Sequence, residues 1–143
     1  MTASEVEGLQ AALRAEHTAI WGYGIVGASL SPEARQSVRD LDVAHRAARD
    51  DLADLIRSRG ADPDPTEASY ELPFPVVDAT GATQLAAVLE SGVARGYAFS
   101  LSRADTQQAK EFSLTALTDA ALRQTTWHQV AGIAPVTPEF PGL

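Results

Sequence analysis

A proline-rich segment in the middle of the chain limits the folds that are open to it. Residues 60–79, GADPDPTEASYELPFPVVDA, contain four prolines. Proline in a helix interior removes a hydrogen bond and clashes with the preceding turn, so a continuous helix across this segment is excluded. The segment separates two stretches with helical periodicity, and a connection this long needs a structural reason inside a compact domain.

The first half of the chain predicts two helices. Ser4 and Glu7 have the spacing of a capping box. The apolar stripe that follows repeats every four and three residues, as in a helix packed in a bundle. It consists of Leu9, Leu13, Glu16, Ile20, Tyr23, Gly27 and Leu30. Ser31 and Pro32 are expected to cap and begin a second helix, which ends near Gly60. Its stripe consists of Val38, Leu41, His45, Ala48, Leu52 and Leu55.

The second half predicts two more helices. Asp78 or Thr80 is expected to cap the third, which runs to about residue 103. Its stripe consists of Ala87, Glu90, Ala94, Tyr97 and Leu101. Asp105 is expected to cap the fourth, which Gly132 ends. The stripe of this fourth helix consists of Phe112, Thr115, Asp119, Leu122 and Thr126.

Two helical hairpins joined by a long connection predict an all-α four-helix bundle. A length of 143 residues fits one domain with its own core, residues 1–143. A short link would force the second and third helices to be antiparallel. The crossover 60–79 is long enough to let them run parallel, which is the ferritin-like topology. The tail 133–143 has three prolines and is expected to lie along the bundle as an extended strap.

An internal repeat relates the two halves of the chain at an offset of 74 residues. The offset aligns Glu16 with Glu90, Gly22 with Gly96, Tyr23 with Tyr97, His45 with Asp119, and Arg49 with Arg123. We interpret it as an internal duplication, although alanine-rich helices also align by composition alone. Under the duplication, the two glutamates face each other at mid-bundle, and the other two helices contribute His45 and Asp119.

A metal ion is one way to balance these carboxylates, since buried charges are costly unless they are paired or bind metal. Glu16, His45, Glu90 and Asp119 are the candidate ligands. Dinuclear ferritin-like sites need a Glu-x-x-His pair on each of two helices. The second helix offers Asp42 before His45, and the fourth has Ala-Leu-Thr-Asp at the aligned place. The full set of six ligands is therefore absent, but four or five ligands could hold one iron, manganese or zinc ion.

Arginine is the other way to balance the carboxylates. Arg49 follows His45 by four residues and Arg123 follows Asp119 by four, so each shares a helix face with a candidate ligand. Two guanidinium groups and a protonated His45 would neutralise three carboxylates without metal, and arginine suits such buried networks. Tyr23 and Tyr97 are expected to donate hydrogen bonds to the same carboxylates. We therefore favour a metal-free polar network, with no cofactor, over an iron or manganese site.

Several of these segments resemble a known family. LQAALRAEHTAIWGYGIVGA, AHRAARDDL, YELPFPV, TALTDAAL and the terminal FPG occur in the order and spacing of an alanine-rich ferritin-like domain family of actinobacteria that carries the label of unknown function. The resemblance spans nearly the whole chain. It implies a ferritin-like bundle, a homodimer and no inherited ferroxidase activity, because the second Glu-x-x-His pair is missing.

Composition narrows the classes of function. A net charge of −8 argues against nucleic acid and anionic membranes as partners. The absence of cysteine excludes disulfides and thiolate chemistry. No signal peptide is apparent, so a cytoplasmic location is expected. The sequence thus predicts a structural protein, or one that binds a protein partner or small ligand. The alternative is a mono- or dinuclear iron or manganese carboxylate oxidoreductase.

Overall fold

The structure confirms an all-α fold. It is a computed structural model and describes residues 2–137 and 140–143. Its four helices are α1 (Ala3–Ala28), α2 (Ala34–Ser58), α3 (Ala79–Arg103) and α4 (Gln107–Ala131). No strand occurs in the described residues. The crossover between α2 and α3 contains no regular secondary structure, as its prolines require.

The helices α1 and α3 form the centre of the bundle. They are antiparallel, because Glu16 contacts Tyr97 while Tyr23 contacts Glu90. The helix α2 packs on α1 and α4 packs on α3, whereas α2 and α4 barely meet. This arrangement makes α2 parallel to α3, as the length of the crossover predicts. An open groove remains between α2 and α4.

Polar contacts fix the crossover along α1. The side-chain amide of Gln10 donates to the carbonyl of Asp62 at 2.7 Å, and its oxygen accepts from the amide of Asp64 at 2.8 Å. Arg14 forms an ion pair with the Asp64 carboxylate at 2.6 Å. The rings of Trp21 and Tyr70 meet at a centroid distance of 5.7 Å. The crossover therefore lies against the central pair.

The N-termini of α1 and α2 differ from the sequence prediction. Thr2, and not Ser4, caps α1, and its side chain accepts from the amide of Glu5 at 3.2 Å. The helix starts early because Glu5 is buried as part of its packed face. Pro32 lies outside α2, although Ser31 still accepts from the first helical amide at 3.3 Å.

The ends of α3 and α4 follow the prediction more closely. Asp78 caps α3 by accepting from the amide of Gly81 at 2.8 Å. Thr106, one residue after the expected Asp105, caps α4. Gly132 ends α4 in the left-handed conformation, with φ at 69°.

The predicted inner face of α4 is wrong. Leu122 is 63% exposed, Thr115, Asp119 and Thr126 are exposed, and Phe112 is half-buried. The buried residues of α4 are Ala109, Ser113, Ala120, Gln124 and Trp127. The prediction directed Asp119 toward the glutamates at mid-bundle. Because α4 packs mainly on α3 and barely meets α2, the predicted face turns toward the open groove and solvent.

The tail 133–143 is only partly described, and residues 138 and 139 lie outside the described residues. His128 at the end of α4 contacts the carbonyls of Pro135 and Val136. Farther on, Gly142 approaches so closely that a Cβ there would lie 2.7 Å from that of Ala98 on α3. The described parts of the tail therefore return to the bundle.

Two glycines bring α1 and α3 close together. A Cβ at Gly22 would lie 2.6 Å from the side chain of Leu89, and one at Gly96 would lie 2.9 Å from the Cβ of Ala15. Residues 15 and 89 are themselves 74 residues apart. The same close contact thus occurs twice across the central pair, which gives the repeat a structural counterpart.

Substitution of these glycines tests the close approach. Gly96→Ala is expected to destabilise the protein by about 1–3 kcal/mol, because the backbone of Ala12 lies 3.3 Å from the new Cβ and cannot yield. Gly24→Ala is the control, since no atom of the described residues outside its own helix backbone lies within 4 Å of its Cβ position. It should stabilise the helix by up to about 1 kcal/mol. Urea unfolding measures both, and effects of the same sign would contradict the packing described here.

Candidate functional site

A histidine links two glutamates at the centre of the bundle. His45 Nδ1 lies 2.5 Å from Glu16 Oε2, and His45 Nε2 lies 2.8 Å from Glu90 Oε1. All three side chains are fully buried. Since carboxylates accept hydrogen bonds and both ring nitrogens face one, His45 is placed to donate from both nitrogens as an imidazolium. The ring thus bridges α1 and α3 from α2.

Two tyrosines complete the network in a crossed pattern. The hydroxyl of Tyr97 donates to Glu16 Oε1 at 2.6 Å, and that of Tyr23 donates to Glu90 Oε1 at 2.7 Å. Each tyrosine follows one glutamate by seven residues, two turns along the same helix face, and bonds the glutamate of the other helix. Trp127 Nε1 donates to the Tyr23 hydroxyl at 2.9 Å.

The network shifts the titration of its members. Burial alone would lower the pKa of His45, but hydrogen bonds to Glu16 and Glu90 and their charges raise it to about 9. Burial raises the pKa of Tyr23 and Tyr97 well above the usual value, and the neighbouring carboxylates add to the effect. Two carboxylates and one imidazolium leave one negative charge in excess. Glu90 Oε2 is buried and has no hydrogen-bond partner among the described residues.

The stability of the fold should therefore depend on pH above neutrality. The pKa of His45 is higher in the folded protein, about 9, than in the unfolded chain, 6.5. The stabilisation of the fold by His45 is therefore complete below pH 6.5 and is lost as the pH rises through about 9. The free energy of unfolding is expected to fall over this window, as measured by urea titration at several pH values. A variant His45→Gln serves as control and should lack this decline. A wild-type profile parallel to the control would contradict an imidazolium at this site.

The remaining candidate residues lie outside the network. Arg49 bonds the neighbouring Asp50 at 2.9 Å, with 30% of its side chain exposed. Asp119 is exposed, and Arg123 is half-buried beside the groove. Asp42 forms a surface ion pair with Arg46 at 2.8 Å. Because α4 does not close on α2, neither Asp119 nor Arg123 comes within hydrogen-bonding distance of His45.

The donor set does not fit a dinuclear carboxylate centre. Such a centre needs acid and histidine ligands from all four helices, and α4 supplies none to this network. Both ring nitrogens of His45 already face carboxylates, so neither is directed at a shared metal position. Among residues 2–137 and 140–143, no group of three or more histidine, aspartate or glutamate side chains has an arrangement that could hold a metal ion.

A second buried carboxylate fastens one end of the bundle. Glu5 Oε2 accepts from the amides of Asp105 and Thr106 at 2.7 Å each, and Glu5 Oε1 accepts from Arg59 Nε at 3.0 Å. Burial alone would raise the pKa of Glu5, but these hydrogen bonds lower it to about 2. Glu5 thus joins the start of α1, the end of α2 and the turn between α3 and α4.

Sequence reasoning missed the roles of Glu5 and Trp127. Glu5 precedes Leu9 by four residues, so extension of the first stripe by one turn would have placed it on the packed face. Trp127 lies outside the predicted stripe of the fourth helix. The signal there was that a buried indole N–H needs an acceptor. No sequence pattern identified Tyr23 as that acceptor.

The groove between α2 and α4 reaches the network. Its volume is about 760 Å³. Glu16 and Tyr97 form part of its inner wall, so a ligand in the groove would lie next to the buried carboxylates. Its other lining residues come from α2 and α4: Ala44, Ala47, Ala48, Asp51, Gln108, Glu111, Phe112, Thr115, Ala116, Asp119 and Arg123. None of the helices in the described ranges has the length and apolar character needed to cross a bilayer.

Comparisons with known proteins agree with this architecture. A conserved hypothetical protein, rv2844, from Mycobacterium tuberculosis is 34% identical, with a TM-score of 0.87 over 91% of this chain and 98% of that one. A ferritin-like, diiron-carboxylate protein from Bacillus anthracis str. Ames is 18% identical, with a TM-score of 0.72 over 92% of this chain and 99% of that one. The second likeness shows that the fold is ferritin-like.

The family follows from the sequence. A comparison with curated proteins found no significant match. The profile of one family, described as "Domain of unknown function (DUF4439)", matches residues 8–143. This match covers most of the chain and agrees with the resemblance of its sequence segments. The chain therefore belongs to the DUF4439 family.

Proposed function

We propose that the protein is a metal-free ferritin-like scaffold that binds a ligand in the groove between α2 and α4. The observation that carries this proposal is the position of His45, whose two ring nitrogens each face a carboxylate. An imidazolium here provides the positive charge that a metal ion would otherwise supply between two carboxylates. The central site is thereby occupied by the protein's own side chains.

The groove supports a binding role in addition to a structural one. Ligand sites are concave, mostly apolar and lined by a few polar groups, often between the helices of a bundle. The groove has alanines and Phe112 along its lining, and the carboxylate of Glu16 and the hydroxyl-bearing Tyr97 on its inner wall.

Elemental analysis by mass spectrometry tests the metal-free proposal directly. Untagged protein from cells supplied with iron, manganese and zinc is expected to contain each metal far below one ion per chain. None of these metals should raise its melting temperature, because His45 has no free nitrogen to offer. A matched Glu16→Ala variant is the control for adventitious binding. Iron or manganese near one or two per chain, lost in this variant, would instead favour the carboxylate oxidoreductase, with Glu16, His45, Glu90 and Asp119 as candidate ligands.

We further propose that the protein is a cytoplasmic homodimer of actinobacterial origin that binds no nucleic acid. The Mycobacterium tuberculosis relative supports the origin. The net charge of −8 supports the last point. Exposed apolar side chains on α2 and α4 support dimer formation. They are Val43, Leu114, Leu122 and Val130. Light scattering coupled to gel filtration measures the dimer, and a monomer at high concentration would refute it.

A further inference from the structure

We propose that the groove between α2 and α4 binds a linear aliphatic amine that carries more than one ammonium group. This inference deepens the proposed binding role and rests on it. Three features favour this class of ligand. They are the shape of the groove, the charge along its walls and the charge of the network behind it.

The shape of the groove suits a methylene chain. Ala44, Ala47 and Ala48 from α2 face Phe112 and Ala116 from α4 across it. Small side chains leave a smooth apolar trough, and apolar lining favours aliphatic ligands. A neighbouring cavity of about 320 Å³, which shares lining residues with the groove, continues the trough toward the C-terminal end of α2. An elongated ligand therefore fits better than a compact one.

The charge along the walls is predominantly negative. Asp51, Glu111 and Asp119 line the groove, and among the described residues Arg123 is the one basic residue in its lining. Within the described part of the chain, neither Asp51 nor Asp119 forms an ion pair. Glu111 and Asp119 are eight residues apart on one helix, which places them about 12 Å apart along its axis. This spacing suits two ammonium groups on one aliphatic chain.

The buried network supplies an independent reason for a cation. Glu16 and Tyr97 form part of the inner wall, and the network to which they belong has one negative charge in excess. Glu90 Oε2 within that network has no hydrogen-bond partner among the described residues, and Glu90 itself lies behind the groove lining. Charges near a low-dielectric interior are poorly screened, so the negative charge of the network adds to that of the groove carboxylates, and Arg123 offsets only part of the sum.

An anionic ligand held by the arginines fits less well. Such a ligand would need both Arg49 and Arg123 to face one cavity. Arg49 bonds Asp50 and does not line the groove. Arg123 alone would have to offset the carboxylates of Asp51, Glu111 and Asp119. The charge balance therefore favours a cationic ligand.

Calorimetric titration with spermidine, on protein dialysed against a metal chelator, tests the proposal. The double variant Asp51→Asn/Glu111→Gln removes two groove carboxylates and should weaken binding by about tenfold or more. The matched control Asp40→Asn/Glu67→Gln removes the same charge at exposed positions outside the groove and should change affinity by less than about twofold. Ala47→Trp, which fills the groove at a partly open position, should abolish binding while leaving the fold intact.

Several results would overturn the inference. Equal weakening in the groove and control variants would show only diffuse attraction to an acidic surface. Octylamine binding as tightly as spermidine would show that the second ammonium group contributes nothing. A change from dimer to monomer in Ala47→Trp, without spermidine binding to the wild type, would show that a second copy covers the groove. Metal found by elemental analysis would refute the metal-free scaffold separately, because the titration uses chelator-treated protein.

Discussion

Replacement of His45 by glutamine is expected to lower the free energy of unfolding by about 3–5 kcal/mol. The substitution leaves Glu16 and Glu90 buried without their shared cation, since no other positive group lies within hydrogen-bonding distance of either carboxylate in the described residues. Glutamine approximates the size of histidine, so most of the loss should be electrostatic. Urea unfolding at neutral pH, followed by circular dichroism, measures the change.

Two further variants separate charge from packing. Arg49→Gln alters a partly exposed arginine outside the network and should change stability by no more than about 0.5 kcal/mol. The double variant His45→Gln/Glu90→Gln removes one of the two uncompensated carboxylates. It should recover part of the lost stability, because residues in one network couple strongly. If the double variant is less stable than His45→Gln, the ring contributes by filling space and the electrostatic account is wrong.

Replacement of Glu5 by glutamine is expected to lower the free energy of unfolding by about 3 kcal/mol. Its carboxylate accepts from two backbone amides and from Arg59, and a side-chain amide would place its own N–H groups against some of these donors. Glu7→Gln is the matched control on the same turn of α1. Glu7 is exposed and lies 3.8 Å from Arg103, so its loss should have little effect.

At acidic pH, wild type and Glu5→Gln should have the same free energy of unfolding. The pKa of Glu5 is lowered from 4.5 to about 2 in the folded protein. The stabilisation of the fold by Glu5 is therefore complete above pH 4.5 and is lost as the pH falls through 2. Unfolding curves recorded between pH 2 and pH 6 should therefore converge at the acidic end. Curves that stay apart at pH 2 would show that the carboxylate charge is not what joins these elements.

Three of the four helices could be predicted closely from periodicity. Apolar stripes define α1, α2 and α3 well because each of these helices has a packed face that repeats along its length. The fourth helix has threonine, aspartate and alanine on several faces, and its periodicity does not distinguish a face toward α3 from one toward α2. Leu122 was therefore placed inside, although it is 63% exposed. The packing of α4 on α3 determines which of its faces is buried.

The same difference between α4 and the other helices separates the site residues that were predicted correctly from those that were not. The structure brings Glu16, His45, Glu90 and the two tyrosines together, and these are the candidates that lie on correctly oriented helices. Asp119 and Arg123 belong to α4. Because the buried face of α4 was predicted incorrectly, they lie outside the cluster in which they were expected. Arg49 lies one turn after His45 on the same helix face. Its side chain is longer than that of histidine and contacts Asp50 at the surface. Side-chain length and the contact between helices cannot be read from spacing alone.

The crossed hydrogen bonds of the two tyrosines also restrict how α1 and α3 can slide past each other. A shift that keeps the same helix faces in contact moves one helix by about one turn, or 5.4 Å, and would break both bonds at once. The two phenols therefore select a single alignment of the central pair, in addition to any stability that they provide. Removal of one hydroxyl leaves the other to hold the alignment, whereas removal of both allows neighbouring alignments to compete. We expect Tyr23→Phe and Tyr97→Phe to be tolerated singly and, together, to broaden the amide resonances of the core.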